Sequence, residues 1–152
     1  MAFRPLAVLL PLALAACGAP AQSPPPEPIP ALEAAQAAME RVLARDAAAG
    51  KIRDHASETA SLEDAVRGYV AALDGLDLTG TPPEFQRALR GHRDAWEGTL
   101  PWMSSLPSER GEMHALLRRI EAERPDLAAK WKPLMDRVWS TWAEVERASG
   151  GP

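Results

Sequence analysis

Thr81-Pro82-Pro83-Glu84-Phe85-Gln86-Arg87-Ala88-Leu89-Arg90-Gly91-His92-Arg93-Asp94-Ala95-Trp96 carries the plainest helix signature in the chain. Thr81 is placed to cap, Pro82 stands where a missing backbone N–H costs nothing, and Glu84 completes a capping box. Phe85, Ala88, Leu89, His92, Ala95 and Trp96 recur with helical period on one face, while Arg87, Arg90, Asp94 and Glu97 fall mostly on the other. An apolar stripe of this kind has to be covered by a neighbouring element, so the reading of this stretch makes the chain a helix-packing protein.

Working outward, the same period appears on both sides. Leu62, Ala65, Val66, Tyr69, Val70 and Leu73 form a stripe behind Ser61, a plausible N-cap with Asp64 three residues on, and Gly75 and Gly80 bracket the exit. Before it, Leu32, Ala35, Met39, Val42 and Leu43 define an alanine-rich helix expected to end near Gly50, with Lys51 to Ser61 as a polar connector. After it, Gly98 to Pro107 reads as an unusually apolar loop holding Leu100, Trp102, Met103 and Leu106. Ser108 then caps a shorter helix with Met113, Leu116, Leu117 and Ile120 on its stripe. The last helix carries Leu127, Ala128, Trp131, Leu134, Met135, Val138, Trp142 and Val145, with a kink or break expected near Lys130 to Lys132 because of Pro133. Sustained alternation of period two is missing and β-branched residues are sparse. The expected fold is therefore all-α, an antiparallel bundle of four to five helices over residues 31–149.

Ahead of the bundle, Gly18 to Pro30 holds six prolines and almost nothing apolar, which describes a tether. Extended at about 3.1 Å per residue, it reaches roughly 40 Å. Ahead of that, a positively charged start ending in Arg4, the apolar run Leu6 to Leu14 and small residues up to Ala16 have a signal-peptide layout. The twelve apolar-run residues from Pro5 to Ala16 are too few for a span, which takes about 20. Leu14-Ala15-Ala16-Cys17 resembles the lipobox of bacterial lipoproteins. The resemblance implies removal of residues 1–16, diacylglycerol on the Cys17 thiol and acylation of the new amino terminus, with 17–30 as an acylated tether. Gly18 in place of aspartate after the cysteine argues, by the same resemblance, for the periplasmic face of the outer membrane. The alternatives for Cys17, the single cysteine, are a buried thiol or an intermolecular disulfide.

Composition limits the functions. Removing residues 1–16 takes away only Arg4 among the charges, so 16 basic residues face 21 acidic ones and the formal charge falls from −4 to −5. This balance argues against nucleic acid as a partner, since its phosphates demand a clustered basic face. With 46% apolar and 25% charged residues, the chain can enclose a core without disulfides.

Candidate chemistry centres on His92, which shares its face with Phe85, Leu89 and Trp96. It is either a core imidazole with a satisfied partner or a metal or haem ligand inside the bundle. The sequence holds no Cys-x-x-Cys-His, His-Glu-x-x-His or Glu-x-x-His, and so points to no cofactor and no metal set. His55 and His114 read as solvated, as do the carboxylate pairs Glu63-Asp64, Glu109 with Glu112 and Glu144 with Glu146. Without a Gly-x-Ser-x-Gly elbow or a glycine-rich phosphate loop, an enzyme is the less favoured class.

Five tryptophans against two phenylalanines and one tyrosine is a skewed aromatic set. Trp96, Trp131 and Trp142 lie on core stripes. Trp139 on a helix flank and Trp102 in its loop are either exposed anchors for a partner or, for Trp102, part of a loop that plugs one end of the bundle. Pro83, Phe85, Ala88, His92, Ala95 and Trp96, with Thr141, Trp142, Val145 and Glu146, resemble segments of small exported helical proteins of bacteria. That resemblance implies a compact domain in which His92 meets the tryptophans and carries no catalytic role. Two functions follow as expectations. The first is a non-catalytic lipid-anchored envelope protein, held to the membrane through Cys17 and presenting its bundle to an envelope protein or to the cell wall. The alternative is a ligand or cofactor (metal or haem) carrier with a pocket formed by His92, Trp96 and Trp142.

Overall fold

A computed structural model describes residues 29–106 and 108–151. The proposed leader, Cys17 and residues 18–28 of the tether lie outside these residues. Among the described residues six helices follow one another: α1 Ile29–Ala56, α2 Leu62–Asp74, α3 Pro83–Glu97, the four-residue α4 Leu100–Met103, α5 Met113–Glu123 and α6 Pro125–Ala148. No strand occurs among the described residues. The all-α bundle expected from the periodicity is the fold.

Helices α2 and α3 run antiparallel. Tyr69 meets Trp96 while Asp74, further along α2, meets Arg93, earlier on α3. The most extensive packing joins α3 to α6, with α1 lying on α2 and α5 on α6. One apolar cluster gathers Leu62, Val66, Met103, Met113, Leu116 and Val138, and a second gathers Met39, Val42, Phe85, Leu89 and Val145.

Ser61 caps α2 as expected: its Oγ accepts from the Asp64 N–H at 3.0 Å and donates to the Asp64 carboxylate at 2.7 Å. Several boundaries differ from the sequence expectation. α1 begins at Ile29, so Pro30 lies in its first turn, where no intrahelical N–H is needed. It also runs through Gly50 to Ala56. A glycine inside a helix costs only about 1 kcal/mol relative to alanine, and the burial of Arg53 beyond it carries the helix on.

The capping box at α3 does not form. Pro82 takes the N-cap position, the Thr81 hydroxyl turns back to donate to the Leu78 carbonyl at 2.7 Å, and the Gln86 amide donates to the Thr81 carbonyl. Glu112, not Ser108, caps α5, accepting from the N–H groups of His114 and Ala115. α6 passes through Pro133 without a break, because the ring removes a single backbone bond from a helix held by buried Trp131 and Val138 on either side.

The apolar loop folds inward and contains α4. Trp102 is buried and stacks on Trp131 at 4.6 Å between ring centroids, so it plugs the bundle and is not an exposed anchor. Its indole N–H has no hydrogen-bond partner among the described residues, a cost of about 1–3 kcal/mol set against the area the ring buries.

Candidate functional site

The continuation of the α1 stripe builds the site. Met39, Val42, Asp46, Ala49 and Arg53 recur at alternating steps of three and four residues, so Asp46 and Arg53 occupy positions that the pattern reserves for apolar side chains. Both are buried, at 5% and 9% exposure. Opposite them stand Tyr69 of α2, His92 and Trp96 of α3, and Val138, Trp139 and Trp142 of α6. Together they line a cleft of about 260 Å³ whose α1 wall also includes Gly50 and Lys51.

Hydrogen bonds and a cation–ring contact organise the polar groups at the floor. The Tyr69 hydroxyl donates to Asp46 Oδ1 at 2.5 Å. Arg53 lays its guanidinium over the Tyr69 ring at 4.6 Å and the Trp96 ring at 4.2 Å, while its Nε and Nη2 donate to Asp54 Oδ1. Such a cation over two desolvated rings is held by the ring quadrupoles as well as by its ion pair. Burial pushes the Asp46 carboxyl above the usual carboxylate range, against the opposing pull of the Tyr69 hydrogen bond and the Arg53 charge. Burial and the neighbouring Asp46 likewise raise the Tyr69 phenol, so it stays a donor. Among the described residues, Tyr69 is the one donor to the Asp46 carboxylate, and the second carboxylate oxygen carries no protein hydrogen bond.

His92 is 4% exposed and both of its nitrogens are committed. Nε2 accepts from the Trp96 indole N–H at 3.1 Å, which places the ring proton on Nδ1. Nδ1 donates to Thr141 Oγ1 at 3.2 Å, and that hydroxyl donates onward to the Val138 carbonyl at 2.9 Å. Burial pulls the imidazole pKa down to about 4, so the ring is neutral at neutral pH. A metal or haem iron would have to displace an indole from Nε2.

The structure thus brings His92, Trp96 and Trp142 together, with His92 and Trp142 rings 5.2 Å apart. Trp139 joins them at the rim, 55% exposed. Trp102 does not line this cleft; it belongs to the plugged end. Asp46, Arg53 and Lys51 were missed from the sequence, although the stripe from Met39 runs straight through the first two. Neither family models, curated proteins nor solved structures yield a match to this chain.

Proposed function

We propose that this chain is a non-catalytic, lipid-anchored cell-envelope protein that binds an envelope protein or a cell-wall component through the cleft between α1 and α6. The observation that carries this reading is the juxtaposition of a half-exposed indole, Trp139, with a cleft whose floor holds an Asp46 carboxylate oxygen that accepts no hydrogen bond from the described residues and is left to solvent. An exposed aromatic beside a concave polar floor is the arrangement that anchors partners. The lipobox-like Leu14 to Cys17 and the proline tether supply the anchoring half of the proposal. The committed nitrogens of His92 leave the cleft without a free imidazole base, which favours binding over catalysis and a polar organic group over haem or a His92-bound metal.

Cross-linking in the native envelope tests it. A photoreactive residue at position 139 is expected to capture a defined partner, a control at the exposed Arg67 of α2 is expected to capture none, and Cys17→Ser is expected to abolish membrane retention and capture together. Capture from both positions alike, or an unmodified Cys17 in the native protein, would overturn the reading.

A further inference from the structure

The fold brings together a second group of side chains that no spacing in the sequence reveals. Asp54 lies in the last turn of α1, Glu112 caps α5, and His114 is the second residue of α5; one ligand atom from each falls within 4.8 Å of the others. The two segments are pinned where they meet. Ser57, fully buried, donates its hydroxyl to the Gly111 carbonyl at 2.7 Å, and the Gly111 N–H donates back to the Ser57 carbonyl at 3.0 Å. The two segments on either side of this pair of hydrogen bonds are therefore held close together.

The one edge measured between two of these side chains has coordination spacing. His114 Nε2 stands 3.4 Å from Asp54 Oδ2, longer than a good charge-assisted hydrogen bond. Two ligands bonded at about 2.05 Å to a tetrahedral zinc ion lie about 3.3 Å apart, which is this edge. We propose that Asp54, Glu112 and His114 form a site for one divalent transition-metal ion, zinc fitting best, with a fourth position open to solvent.

Each ligand keeps a supporting contact once its metal-facing atom is used. Asp54 offers Oδ2 while Oδ1 stays with Arg53, an outer partner that orients the carboxylate. Glu112 is oriented by the α5 N–H groups it accepts from, and each of its oxygens has a second lone pair. The negative end of the α1 dipole favours a cation here, and the Glu112 carboxylate offsets the positive end of α5. One neutral imidazole and two carboxylates make a donor set suited to zinc more than to the all-oxygen preference of magnesium or calcium. The site rests on these side chains alone and stands whether or not the cleft binds a partner.

Titration of the full chain with zinc chloride in a non-chelating buffer tests the site, with cobalt(II) as the spectroscopic probe. The wild type is expected to take up one equivalent, to show the visible bands of four- or five-coordinate cobalt, and to shift the His114 ring resonances. His114→Ala is expected to weaken uptake at least tenfold with unchanged helicity, whereas His55→Ala, which removes the neighbouring exposed imidazole, leaves it intact. No uptake by the wild type, uptake by His114→Ala as tight as wild type, or loss on His55→Ala would each overturn the assignment and leave an ion pair and a helix cap only.

Discussion

The α3–α6 interface and the α1–α2 interface are laid out on the same helical period and filled with opposite chemistry. Where α3 meets α6, Phe85, Leu89 and Val145 close an apolar cluster, and the one polar intruder, His92, arrives with both nitrogens satisfied. Where the second half of α1 meets α2, the stripe is continued by Asp46 and Arg53, and the contacts include a phenol–carboxylate bond and a guanidinium over the Tyr69 ring, which also covers Trp96 of α3. The first arrangement leaves little for a ligand to do. The second sets the Asp46 carboxylate at the floor of a cleft, where burial raises its pKa and one oxygen is left without a hydrogen bond from the described residues.

The comparison can be broken at the apolar side first. Phe85→Ala removes a ring with no solvent exposure and is expected to cost about 3–5 kcal/mol, read as the shift of a urea midpoint at constant slope. A loss below about 1 kcal/mol would mean that α3 is not the pillar of the bundle.

His92 gives the next effect, through pH. Its folded-state pKa lies near 4 against an ordinary value of 6.5, so the unfolded chain takes up the proton first as pH falls. The contribution is fully present above pH 6.5 and is lost progressively down to about pH 4, amounting to about 3 kcal/mol. His92→Gln, which can still accept from Trp96 and donate to Thr141, is expected to flatten that part of the stability curve. An unchanged slope would refute the buried neutral imidazole.

On the polar side the effects are smaller. Tyr69→Phe strips Asp46 of its donor and is expected to cost about 1–3 kcal/mol, whereas Asp46→Asn keeps a partner for the hydroxyl and costs less. Asp46 also opposes His92 in sign. Because its carboxyl is raised in the fold, its contribution is present at low pH and lost as pH climbs through the folded-state value, a component that Asp46→Asn removes. Smallest of all, Trp139→Ala is expected to move the midpoint by no more than about 0.5 kcal/mol while lowering partner capture.

The same contrast explains what could be read in advance. Helices built on apolar residues announced themselves, and every buried side chain of α3 lies on the stripe drawn from Phe85 to Trp96. The meeting of His92, Trp96 and Trp142 was also legible. The first part of α1 was legible through Met39 and Val42, but its continuation was not, because periodicity is counted in apolar residues and here the period passes through an aspartate and an arginine; Gly50 then looked like an end. Leu32, placed on the first stripe by period alone, is exposed, since the early turns of α1 extend past what the other helices can cover. The cluster of Asp54, Glu112 and His114 was out of reach for a different reason: its members meet only through the packing of α1 against α5.

Gly50 offers the most direct test of the claim that the cleft, and not the bundle surface at large, is the binding face. A Cβ placed there meets nothing closer than an Arg53 nitrogen at 3.9 Å, and Gly50 lines the cleft, so Gly50→Leu is expected to fit on the helix and fill part of the cleft. The account predicts a protein at least as stable as wild type, since leucine is the better helix former, in which cross-linking from position 139 falls to background. Undiminished capture with the cleft filled would contradict it.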